Sequence, residues 1–98
     1  MIFVIYCKDK PGNLQVRLDT RPTHVAYLTE LNAAGTLKFA GPLLGDDGKP
    51  IGSLIAVEAA DIAAATALAQ NDPYSQAGLF GSVEIHPWTW TFNNPATA

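Results

Sequence analysis

Two residues that can move a proton near neutral pH stand out by their positions. His24 lies in the stretch "RPTHVAYLTEL" and Asp72 in "NDPYSQAGLF". At helical spacing, His24, Tyr27, Leu28 and Leu31 fall at i, i+3, i+4 and i+7, so they share one face and the imidazole points inward or toward a sheet edge. A helix opening at Thr20, with Pro22 in its first turn, places His24 close to the positive end of the helix dipole, where a neutral imidazole is favoured. A neutral imidazole is what a general base needs. Asp72 precedes Pro73, which pushes it out of helical geometry. A carboxylate that accepts the Nδ1 proton would fix the tautomer and orientation of the ring. Each residue also has a plain structural reading: a histidine hydrogen-bonded for packing at a helix start, and an aspartate in a helix-ending turn.

Other groups add less. Gly41 and Gly52 stand at strand ends, where a ligand can approach the backbone closely. The Ser53 hydroxyl could donate to an anionic group, and Arg17 and Arg21 could bind a carboxylate or phenolate, although a surface role suits both arginines better. His86 lies beside Pro87 with no visible partner, and Cys7 sits in an apolar strand-like run that suits a buried thiol. Two histidines far apart give no metal spacing, and no phosphate loop or dinucleotide fingerprint is present, so neither metal nor cofactor is expected. Ser53, His24 and Asp72 would make a hydrolytic triad on paper, but no nucleophile elbow supports it.

The elements that must position these groups follow from the hydrophobic pattern. "IFVIYC" reads as a buried strand bounded by "KDKPGN". A short link through Leu18 and Asp19 leads to a helix from its Thr20 cap to about Ala34, stopped by Gly35. "TLKFAG" and "SLIAVEA" read as strands joined by a turn at Asp47-Gly48. "DIAAATALAQ" is an alanine-rich helix capped by Asp61, followed by a loop from Asn71 to Gly81 and a last strand, "SVEIHPW". After Pro87 the apolar phase moves to Trp88, Trp90 and Phe92, which suggests a bulge or kink, and "NNPATA" reads as a loose end. The β-α-β-β-α-β order predicts a ferredoxin-like α+β domain: a four-stranded antiparallel sheet with two helices on one face. Strands apolar at successive positions favour burial of both faces, hence a homodimer with sheets facing each other.

Composition bounds the function class. The 98 residues suit one domain, with 48% hydrophobic and 15% charged residues. A net charge of −3 with scattered Lys and Arg argues against nucleic acid and against a polybasic membrane patch. No apolar run spans a bilayer and no leader pattern opens the chain, so a cytoplasmic protein is the default expectation.

The stretches "YCKDKPG", "RPTHVAYL", "AGPLLGDDGKPIGSLIAVEA" and "ALAQNDPYSQAGLFGSVEIHPW" resemble the YciI-like (YCII) family from about Ile2 to Trp88, in order and spacing. The resemblance implies one YCII-like domain, with residues 89–98 as a tail, forming dimers of the α+β barrel type. It also implies a pocket whose histidine and aspartate correspond to His24 and Asp72. Gly41, Pro42, Gly52, Ser53 and Gly78 match positions that shape that pocket, with Arg21 near its mouth. His86 stands where many relatives have arginine, which weakens any anion contact from that position. The family includes a dehydrochlorinase of a chlorinated hydroxyhydroquinone. The expected function is therefore proton transfer by a His–Asp pair on a small aromatic or enolic substrate, of lyase or isomerase type. The alternative is a dimeric module that binds a small ligand without turnover.

Overall fold

A computed structural model describes residues 1–97; Ala98, the end of the expected loose tail, lies outside the described residues. The elements are β1 (Ile2–Asp9), α1 (Leu14–Ala33), β2 (Leu37–Leu44), β3 (Pro50–Glu58), α2 (Ile62–Gln70), α3 (Pro73–Gln76) and β4 (Phe80–Trp88). The sheet order is β2-β3-β1-β4, with every neighbouring pair antiparallel. This is the ferredoxin-like βαββαβ arrangement, with α3 as an added single turn where the sequence reads as loop.

Alternation along β1 decides which face the helices cover. Phe3, Ile5 and Cys7 are buried in one cluster with Ile55, Val57, Ala65 and Ala69. Ala65 and Ala69 give α2 a small face that lies close against β1 and β4. Its N-cap is Asp61, whose carboxylate accepts from Ala64 N–H at 2.8 Å, as the sequence pattern predicts. The Asp47-Gly48 turn also forms, with Lys49 N–H bonded to the Asp47 carboxylate at 2.9 Å.

α1 begins six residues before its predicted start at Thr20, because the stretch through Leu18 and Asp19 is helical rather than a link. Pro22 is an interior residue, not a first-turn one. Both it and Leu18 are exposed, so the Leu18 carbonyl that loses its donor lies on the solvated side. His24 therefore sits in mid-helix, out of reach of the dipole end that the sequence reading invoked. The stop at Gly35 holds: Thr36 N–H bonds to Leu31 C=O and Gly35 N–H to Asn32 C=O.

The bulge or kink expected at Pro87 does not interrupt the pairing. The ladder runs through it, with Phe3 opposite Pro87 and Ile2 opposite Trp88. β4 is an edge strand, where a residue without N–H is tolerated. The irregularity lies at the other end of the pairing, between Lys8 and Asp9. On the helix-free face, Phe39 meets Trp88 and Trp90 edge-on at centroid distances of 5.6 and 5.3 Å. Phe39 and Trp88 start from opposite edge strands, and the small, fully buried Ala56 on β3 leaves room for them to meet. Phe92 stays 82% exposed.

Candidate active site

α1 has an inverted burial pattern: its buried residues are Arg17 and His24. Together with Arg21 they form one stripe, spaced by four and three residues. Burying a guanidinium and an imidazole requires polar partners, and each has them.

His24 Nδ1 lies 2.8 Å from Asp72 Oδ1, with both side chains buried. The aspartate is held from two sides. Pro73 keeps its backbone extended, and the same Oδ1 accepts Tyr74 N–H at 2.9 Å as the N-cap of α3. An ionised carboxylate only accepts, so Nδ1 carries the proton and Nε2 is left as the basic nitrogen. The Tyr74 ring stacks on the imidazole, with centroids 3.9 Å apart and planes 19° from parallel, which fixes the ring plane as well as its tautomer. Asp72 Oδ2 is buried and has no hydrogen-bond partner among the described residues.

Arg17 also lies against Tyr74. Its Nε and Nη2 donate to the two oxygens of Asp9 at 2.6 and 2.8 Å, and Nη2 also donates to Ser53 Oγ at 3.0 Å. Its guanidinium carbon is 4.5 Å from the Tyr74 ring centroid. Burial works to lower the pKa of Arg17, but the hydrogen bond and charge of Asp9 outweigh it and the net shift is upward. Burial raises the Tyr74 phenol, with the charges of Arg17 and Arg21 opposing. Burial, reinforced by the Asp72 charge, also raises Tyr27. Cys7, beneath the site, is pushed up from 9.0 to about 12 by burial and then by Asp72, so it remains a thiol.

A cavity of about 480 Å³ opens between α1 and the β2 edge, with Arg21, His24, Gly41, Pro42, Ser53 and Tyr74 in its wall. Among the described residues no group of three His, Cys, Asp or Glu side chains converges as a metal site would need. A larger cleft of about 680 Å³, beside the β1–α1 loop and the β2–β3 hairpin, contains neither His24 nor Asp72.

Residues 1–89 match the YCII-related domain. The chain belongs to the YCII family. This YCII chain is 37% identical to Protein YciI of Escherichia coli over 98 residues, 94% of this chain and the whole of that one. Its fold is similar to that of the 5-chloro-2-hydroxyhydroquinone dehydrochlorinase of Burkholderia phenoliruptrix, solved in complex with 2,5-dihydroxybenzoquinone. The TM-score is 0.84 at 38% identity, covering 96% of this chain and 99% of that one. A NIPSNAP family protein of Agrobacterium tumefaciens shares the fold alone, with a TM-score of 0.55 at 16% identity, covering 96% of this chain and 95% of that one. The YCII domain is thus a ferredoxin-like fold of the dimeric α+β barrel type.

The residues singled out from the YCII sequence do not all meet. His24, Asp72, Arg21, Gly41, Pro42 and Ser53 converge on one side of the sheet, Asp72 behind His24 and the others around the cavity. Gly52 and Gly78 lie away from it. A Cβ on Gly52 would strike the Cys7 carbonyl, so this glycine lets β3 lie against β1. Gly78, at φ +72°, turns the chain out of α3 and delivers Leu79 to the core. His86 is exposed, with Glu84 3.4 Å away. Arg17, expected on the surface, is 3% exposed because the longer α1 carries it inward. Tyr74 and Asp9 were not singled out. The signal for Arg17 was its seven-residue spacing from His24, and for Tyr74 its place two residues after Asp72.

Proposed function

We propose that this YCII domain is an acid–base enzyme of lyase or isomerase type. In this reading Nε2 of His24 removes a proton from a small aromatic or enolic substrate in the cavity. The observation that carries it is the buried His24–Asp72 pair: Nδ1–H is committed to the carboxylate, and the ring borders a cavity of substrate size. Ser53 Oγ already accepts from Arg17, which leaves its own O–H to donate to an oxyanion developing beside it. Proton removal with departure of chloride, as in a dehydrochlorinase, consumes no outside electrons, since both fragments leave one molecule. The similarity to a 5-chloro-2-hydroxyhydroquinone dehydrochlorinase supports this class. The working form is a homodimer, with the helix-free faces of two copies meeting over the partly exposed patch of Phe39, Trp88 and Trp90.

The test is chloride release from 5-chloro-2-hydroxyhydroquinone, together with solvent-deuterium exchange into a panel of small phenols and enols. Turnover by the native protein that disappears in His24→Ala is the expected result. Turnover that survives His24→Ala refutes the base, and binding without any exchange or release favours a ligand-binding module.

A further inference from the structure

Resting on the reading above, we propose that the cavity selects small planar substrates carrying an anionic oxygen, and that Arg21 is the residue that binds it. The chain has six Lys and Arg against nine Asp and Glu. Yet the cavity wall contains Arg17, Arg21 and Lys38 and no acidic residue. The remaining cations, Lys8, Lys10 and Lys49, line the larger cleft, where Asp9 and Asp47 stand among them. A net-negative chain thus gathers positive charge, without carboxylates in the wall, around the cavity that His24 borders.

The three cations of the site are not equivalent. Arg17 is committed to Asp9 and Ser53. Lys38 shares its charge with Glu58, whose carboxyl is held below its usual range first by the N-terminal amine and in part by Lys38. Arg21 is exposed at the mouth and has no hydrogen-bond or ion-pair partner among the described residues; its charge is felt at the Tyr74 phenol in the wall. A planar guanidinium with its full set of donors suits a carboxylate or an ionised enol oxygen.

The spacing puts the anchor beside the base. Arg21 and His24 are three residues apart on α1, which puts their Cβ atoms roughly 5–6 Å apart. An acid anchored on Arg21 is thereby held beside the His24 ring in the same cavity, and a neutral ring lacks the anchor.

The experiment follows the ¹⁵N-labelled imidazole of His24 by NMR during titration with benzoate, with 2,5-dihydroxybenzoquinone as an acidic enol, and with benzamide as the neutral counterpart of benzoate. At least one acid is expected to bind roughly tenfold more tightly than benzamide, the effect of one charge-assisted contact. Arg21→Gln, with its fold checked by the amide spectrum, is expected to erase the preference. Stronger binding of benzoate assigns the subsite to a carboxylate, and stronger binding of the enol assigns it to an ionised ring oxygen. The proposal is overturned if benzamide binds as well as both acids, if the preference persists in Arg21→Gln, or if no probe moves the His24 signals. Failure of the acid–base reading is separable. Turnover surviving in His24→Ala would refute the base, while the preference for acids, read on the Tyr74 ring signals, would still report on Arg21.

Discussion

The molecule buries two hydrogen-bonded polar pairs side by side, and they are built to different rules. Arg17 and Asp9 form a closed pair: both carboxylate oxygens are bonded, and Ser53 takes a further N–H. His24 and Asp72 form an open pair: one ring nitrogen is engaged, Nε2 is left basic, and Asp72 Oδ2 is buried with no hydrogen-bond partner among the described residues. A closed pair can hold a wall in place, since both of its carboxylate oxygens are engaged by one guanidinium. An open pair keeps a nitrogen able to take a proton. Tyr74 lies against both, stacked on the imidazole and under the guanidinium, so the closed pair braces the open one.

This contrast can be broken by experiment, and the largest effect belongs to the open pair. His24→Ala should lower turnover by roughly 100- to 10,000-fold, the usual contribution of a positioned base, while the protein remains folded. A small change in turnover, or collapse of the fold, would erase the distinction between the pairs.

The closed pair should respond in the opposite way. Arg17→Met leaves the Asp9 carboxylate buried and unpaired, at about 3–5 kcal/mol of stability in urea unfolding. A loss below about 1 kcal/mol would mean that water reaches Asp9 and that the pair is no wall.

The chemistry beneath the open pair adds a pH signature. The Cys7 thiol is raised from 9.0 to about 12 in the folded chain, so between those values the folded state holds a proton that the unfolded state has lost. The contribution is intact below pH 9 and is lost as pH rises toward 12, at up to about 1.4 kcal/mol per pH unit. Tyr74 and Tyr27, also raised, deepen the fall above pH 10. Unfolding free energies measured across this range should fall steeply for the native protein and less steeply for Cys7→Ala; equal slopes would remove Cys7 as the cause.

The smallest effects separate a working cap from an apparent one. Asp61→Ala should cost about 1 kcal/mol, since its carboxylate bonds Ala64 N–H. Thr20→Ala, inside the continuous α1, should stay within about 0.5 kcal/mol of the native protein. Thermal or urea midpoints would reveal a reversal.

Much of the fold was legible because its signals are local. Apolar runs marked all four strands, Asp61 marked the start of α2 and Gly35 the end of α1. The errors came where a local rule had two solutions. Thr20 and Pro22 read as a helix start, yet upstream residues continue the helix because Arg17 finds Asp9 and Ser53 to bury against. Pro87 read as a bulge or kink, yet an edge strand tolerates it with its pairing continuous. Gly52 and Gly78, which the family resemblance puts in the pocket, have backbone roles that no local pattern announced, one at a close approach and one at a left-handed turn.

By itself the sequence determined the order of elements and the inward face of α1, because hydrophobic period and helix stops act over a few residues. It also singled out His24 and Asp72 as the unusual polar residues of an apolar chain. Their meeting across 48 residues, the contacts of Tyr74 with both imidazole and guanidinium, and the absence of carboxylates from the cavity wall were decided only by tertiary structure. A contact between distant segments is a property of how helices dock on the sheet, and no short-range pattern encodes it.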